Sequence, residues 1–247
     1  MKLRIGLTGV VCLLLGVVVA PPSYSGFQDF LKGAMQSLGI NQGPTEEEIV
    51  KGLKEALEIG TNNAVALVSR TNGYFNNPKI KIPLPENVQK AEKFLRGIGF
   101  GRQVDDFELS MNRAAERAAP QAKSIFWGAI KKMTFADGRK ILNGPDDAAT
   151  SYFKEKTSAQ LYSAFKPAVH QAMSEVGVTQ AYESVDQKIR ALPFAESLSF
   201  NLDQYVTDKA LDGLFLMLAE EEKKIRQDPA AQVTELLKKV FGSQSSH

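Results

Sequence analysis

The segment from Val104 to Met133 constrains the chain most, because it writes two helices back to back with more apolar surface than either can keep dry alone. Val104, Phe107, Met111, Ala114, Ala115 and Ala118 recur every three or four residues, which sets them along one side of an α-helix. The alanines let a neighbouring helix approach that side closely. Pro120 ends this helix and suits the first turn of the next. In the second helix Ala122, Phe126, Ala129, Ile130 and Met133 share a face, with Ile125 and the only tryptophan, Trp127, on its flanks. Apolar cover this broad predicts the buried centre of a bundle, with Trp127 in the core or at its edge.

The same period runs through most of the chain. Phe27, Phe30, Leu31, Met35 and Leu38 predict a short amphipathic segment ending near Gly39. Thr45 and Glu48 have capping-box spacing, and the helix they open carries Ile49, Leu53, Ala56, Leu57, Ala64 and Val68 before Asn72-Gly73. Helix resumes near Glu86 with Val88, Ala91, Phe94, Leu95 and Ile98. Gly97, Gly99 and Gly101 read as its termination; they follow a helix and no strand, so the context of a dinucleotide loop is missing. Thr134 begins a short helix closed by Asn143-Gly144, and Pro145-Asp146-Asp147 begins another. Thr157 is read as the cap of the following helix, which Pro167 should kink or restart. Thr179 caps a segment through Ala181, Val185, Ile189 and Leu192, and Phe194 to Phe200 is a looser connection. Thr207 leads into Ala210, Leu211, Leu214, Phe215, Leu218 and Ile225. Asp228-Pro229 stops that helix and opens a last one with Val233, Leu236, Leu237, Val240 and Phe241, followed by a frayed tail at 243–247.

Only residues 74–85 depart from helical periodicity. Ile80, Ile82 and Leu84 alternate with Lys79, Lys81 and Pro83, and flanking prolines argue against a central strand. The expected architecture is therefore all-α: a single multi-helix bundle of about ten helices over 26–247, with one short extended strap or hairpin at 74–85.

The first 25 residues read as a secretory signal peptide. Lys2 and Arg4 precede the apolar run Val10 to Ala20, and Ser23-Tyr24-Ser25 supplies small residues for cleavage. The run is short for a membrane span, and no later one is longer. Export to the periplasm is the expected destination. Lipoprotein anchoring is not, because Gly9, Val10 and Val11 before Cys12 do not make a good lipobox. Removing the leader takes Lys+Arg from 30 to 28 against 28 Asp+Glu, and takes the only cysteine. A neutral chain gives no support for nucleic-acid binding, and one without cysteine has no disulfide, thiol nucleophile or thiolate metal site.

Four separated stretches carry a resemblance. They are Ile80-Lys81-Ile82-Pro83-Leu84-Pro85; Met111-Asn112-Arg113-Ala114-Ala115-Glu116; Ile141-Leu142-Asn143-Gly144 with Ala149-Thr150-Ser151-Tyr152-Phe153; and Leu211-Asp212-Gly213-Leu214-Phe215 through Glu222, Ile225 and Arg226. In this order they resemble the exported bacterial helical proteins of domain-of-unknown-function family 4197. The resemblance implies a single helical domain and export, and it implies no activity. Members often carry a lipoprotein signal, from which Cys12 departs.

Side chains suited to catalysis are few. His170 has no carboxylate three or four residues away, and one histidine without cysteine does not make the usual zinc site, so neither metal nor cofactor is implied. Asp105-Asp106 and Asp146-Asp147 read as acids at helix starts, and Glu220 with Lys224 and Glu222 with Arg226 as a solvated face. Asn112, Arg113 and Glu116, with Asp137, Thr150 and Tyr152, are the candidate ligand-binding residues, set against a purely structural hydrogen-bond network. The functional expectation is a non-enzymatic envelope protein that binds a small or apolar ligand, or a protein partner, between helices. One alternative is a carboxylate-dependent hydrolase of an envelope polymer with Glu108 or Glu116 as acid. The other is a purely structural protein.

Overall fold

A computed structural model of the chain describes residues 45–175 and 201–228, together with the isolated helical positions 183 and 187. The expected leader, the segment Phe27 to Leu38, most of Thr179 to Leu192, the connection Phe194 to Phe200 and everything after Asp228 lie outside the described residues. Seven α-helices lie within them: α1 Glu46–Ser69, α2 Glu86–Gly97, α3 Gly101–Ala118, α4 Ala122–Lys132, α5 Phe135–Leu142, α6 Ala148–Glu175 and α7 Leu202–Gln227. No strand occurs among the described residues, so the fold is all-α.

Local chemistry places most boundaries. Thr45 and Glu48 form a reciprocal capping box at the start of α1, and Thr134 and Asp137 form another at the start of α5. α2 ends in a Schellman turn: the Phe100 N–H donates to the Leu95 carbonyl, the Gly99 N–H donates to that of Arg96, and Gly99 takes φ +89. Pro120 lies in a 3-10 turn, Ala119–Gln121, that joins α3 to α4.

Three expectations about helix interiors are corrected. α6 runs unbroken through Pro167, because Leu161, Phe165, Val169, Ala172 and Met173 keep one continuous buried face on both sides of the ring. Packing of that face outweighs a proline cost of about 3 kcal/mol. Thr157 caps nothing; it is buried within α6 and its hydroxyl donates to the Phe153 carbonyl. Asp105 and Asp106 lie beyond the first turn of α3, which holds no acid. Asp105 instead pairs with Arg96 at 2.6 Å, and Asp106 lies 3.6 Å from Arg102.

The core centres on Phe126 of α4, which meets Phe153 of α6 edge-on at 5.0 Å and Phe215 of α7 at 6.1 Å. α4 is nevertheless not covered all round. It shows Lys123, Ser124, Lys131 and Lys132 to solvent and carries Trp127 half-buried at the core edge. α6 and α7, the two longest of the described helices, pack along one another. These helices are antiparallel, since Thr150 meets Glu222 near one end and His170 meets Asp203 near the other.

Candidate functional site

Asn112, Arg113 and Glu116 of α3 turn toward residues 70–85. Asn112 is fully buried; its Oδ1 accepts from the Ile82 N–H at 2.8 Å, and its Nδ2 donates to the carbonyls of Ile82 (2.9 Å) and Glu108 (2.8 Å). One side-chain amide thus satisfies both backbone groups of Ile82, as a neighbouring strand would.

Glu116 lies one turn further along the same face. Its Oε1 accepts from the N–H groups of Tyr74 and Phe75 at 3.1 and 3.3 Å. Its Oε2 accepts from the Asn72 N–H at 3.2 Å and from Arg113 Nη1 at 2.6 Å. Arg113 Nη2 donates to Asn72 Oδ1 at 2.7 Å, at a residue that takes φ +65 to turn the chain out of α1. Four donors converge on one buried carboxylate, an arrangement that fixes the turn.

The far side of this segment rests on α7. The buried Tyr74 hydroxyl donates to the Ala210 carbonyl at 2.6 Å. Burial, and then the charge of Glu116, push its ionisation well above the usual phenol range. Gly213 makes the approach feasible, since a Cβ there would stand 2.7 Å from Tyr74 Cε1.

A second carboxylate repeats the device elsewhere. Glu222 accepts from the N–H groups of Ala149 and Thr150, both at 2.8 Å, and from the Thr150 hydroxyl at 2.9 Å. It thereby caps α6 from α7. Arg226 completes the clasp, donating to Glu222 and to the Ile141 carbonyl at the end of α5. The solvated-face expectation for this run is therefore corrected: Glu222 is 8% exposed, Glu220 pairs with Lys79, and Lys224 is nearest Glu221 at 3.9 Å. Spacing finds i,i+4 pairs whether wet or dry. The missed signal is that Glu222 falls in the same stripe as Leu218 and Ile225. Beside it lies a cavity of about 20 Å³ lined by Leu53, Leu57, Phe153 and Thr150 among others, room for a single water.

Asp137 and Tyr152 belong to a third place. Asp137 caps α5, and the hydroxyl and N–H of Thr134 hold its carboxyl below the usual range. Tyr152 is half-buried, its hydroxyl 3.4 Å from the Ala129 carbonyl, and burial raises its ionisation. Both line an open groove of about 740 Å³ along α5, the following turn and α6, with Lys140, Asn143, Ser151 and Lys156. The six candidate residues thus divide: Asn112, Arg113 and Glu116 hold 70–85, Thr150 belongs to the Glu222 clasp, and Asp137 and Tyr152 face the groove.

The remaining candidates are also engaged. Glu108 pairs with Lys81 at 2.7 Å. His170 Nδ1 lies 2.8 Å from Asp203 on α7, a partner that inspection of its own helix does not find. Among the described residues no cluster of three or more metal-ligating His, Cys, Asp or Glu occurs, and no helix is long and apolar enough to cross a membrane.

A family model described as protein of unknown function (DUF4197) matches residues 43–242. No curated protein and no solved structure matches the chain.

Proposed function

We propose, from the premise that the chain belongs to this DUF4197 family, that it is an exported, non-enzymatic envelope protein holding a small polar ligand in the groove between α5 and α6. Export is supported by the order of Lys2 and Arg4, the apolar run Val10 to Ala20 and Ser23-Tyr24-Ser25. Residues 74–85 serve as the strap that α3 and α7 hold in place.

One observation carries the ligand reading. Asn143, Ser151 and Tyr152 lie in the stretches that carry the family resemblance, the fold makes little use of the Asn143 and Ser151 side chains, and all three line one groove. Its volume of about 740 Å³ falls in the range of small-molecule sites. Tyr152 supplies a flat apolar wall with a polar tip, and Lys140 and Lys156 lie opposite Asp137 and Glu155 in charge. The interhelical cavity of about 20 Å³ is too small for an apolar guest. A hydrolase needs a carboxyl free to reach its substrate, whereas Glu116 is saturated by four donors and Glu108 is paired with Lys81.

Native mass spectrometry of the full chain purified from the envelope tests this. The expected result is a co-purifying small molecule, lost in Lys140→Ala at unchanged melting temperature and in Tyr152→Ala at retained helix content. A native chain that is consistently empty overturns the reading, as does retention unchanged by both substitutions. An empty chain favours the second reading, a purely structural protein, for which the Glu116 and Glu222 clasps speak.

A further inference from the structure

The outer seam of α6 and α7 carries a second groove, of about 640 Å³, separate from the one between α5 and α6. Lys154, Ser158, Ala159 and Tyr162 line it from α6, and Asp208, Leu211, Asp212 and Phe215 from α7. Leu211 and Phe215 form an apolar floor. Leu216, next in sequence to Phe215, is 41% exposed, the one large apolar side chain of α7 so presented. From Lys154 to Tyr162 is about two helical turns, a length of roughly 12 Å at 1.5 Å per residue.

Charge is distributed unevenly along this groove. Because the helices are antiparallel, Lys154 lies at the end where it covers the Phe215 ring at 5.5 Å. Asp208 lies at the other end beside Tyr162, and Asp212 one turn in from it. All three charged groups are exposed, and among the described residues neither aspartate enters an ion pair. One end is therefore basic and the other acidic, with only Ser158, Ala159 and Leu211 between them.

We propose that this groove pairs two copies of the chain, Lys154 of each meeting Asp208 and Asp212 of the other. In an isologous contact, if residue i touches j then j touches i. A two-fold axis crossing the groove at its middle, near Ser158 and Leu211, reverses its direction. The basic end of one copy then lies over the acidic end of the other, twice. The small side chains at the crossing admit close approach, and Leu216 is covered. A partner of uniform charge would meet a like charge at one end, so the polarity of the groove fits its own copy better. The contact is short and its ion pairs sit at the rim, so the dimer is weak and salt-sensitive.

Sedimentation equilibrium of the full chain over a concentration series, at low and high salt, tests the pairing. The expected result is a monomer–dimer equilibrium that high salt shifts to monomer. Lys154→Glu should weaken it about tenfold, since each substitution acts twice in a symmetric pair. Asp208→Lys with Asp212→Lys should do the same, and joining all three should restore dimerisation to within a few-fold of the native chain. A native chain that stays monomeric throughout overturns the proposal, whether or not another protein or another segment of the chain covers the groove. So does a dimer indifferent to the reversals, or one that the combined reversal fails to restore. If a variant loses helix content, the salt series on the native chain decides the matter alone.

Discussion

Replacing Asn112 by leucine removes one of the links between α3 and residues 70–85 while keeping the side chain's approximate shape. The Ile82 N–H and carbonyl, bonded to the Asn112 amide at 2.8 and 2.9 Å, then stay buried with no partner. Each orphaned group costs about 1–3 kcal/mol, and the added apolar contact of leucine offsets roughly 1 kcal/mol of the total. Asn112→Leu should therefore destabilise by about 3 kcal/mol. With a urea slope of about 2 kcal/mol per molar, the unfolding midpoint read by circular dichroism falls by roughly 1.5 M at unchanged slope. Asn112→Asp sharpens the test. Its carboxylate still accepts from the Ile82 N–H but points a second oxygen at two carbonyls, so at neutral pH it should be at least as harmful, with partial relief in acid where the protonated group can donate. A midpoint shift below about 0.3 M for leucine, or aspartate milder than leucine at pH 7, would refute the reasoning.

Glu222→Gln puts an amide nitrogen among donors from Arg226, Ala149 or Thr150 and leaves an arginine that is 10% exposed without its charge partner; a loss of about 3 kcal/mol in urea unfolding is expected, and under 1 kcal/mol would contradict the clasp. Tyr74 has a folded-state ionisation raised above the unfolded value, so its contribution is fully present below about pH 10 and is lost as pH climbs beyond, by up to about 1.4 kcal/mol per unit. Tyr74→Phe should cost about 1 kcal/mol at pH 7 and flatten the alkaline loss; melting curves at pH 7 and 11 that run parallel for both proteins would count against it. Pro167→Ala should stabilise by about 1–3 kcal/mol by restoring a helical N–H in mid-α6, and a lowered melting temperature would show that the ring is needed where it stands.

Helix identity was legible because it rests on neighbours three and four residues away. The capping boxes at Thr45 and Thr134, the glycine termination of α2 and the small-residue face of α3 all follow from short-range rules. The errors at Asp105 and Glu222 share a cause: each carboxylate has its partner on another helix. Pro167 looked like a break because the rule for proline is local, whereas Leu161 and Phe165 before it and Val169, Ala172 and Met173 after it carry one buried face past the ring. Glu222 looked wet because its partners are the N–H groups of Ala149 and Thr150, more than seventy residues earlier. Asn112 was legible as a partly buried amide needing partners; that those partners are the two backbone groups of Ile82 was not.

The stretches that carry the family resemblance are, for the most part, the ones that tie backbone to backbone. Ile82 joins Asn112, Glu116 gathers three N–H groups, Gly213 gives way to Tyr74, and Glu222 with Arg226 closes α6 against α5. Their chemistry is spent inside the protein, so resemblance in these residues speaks first about folding. The informative residues are the few in the same stretches that the fold leaves with little to do. Asn143 and Ser151 open on one groove, beside the half-buried Tyr152, and Asp212 opens on the other. If family likeness were only a record of folding, polar side chains left over in this way should scatter over the surface, whereas these three fall into two concavities. That clustering is why the functional and self-pairing experiments belong on the outer faces of α5, α6 and α7 and not on the buried carboxylates.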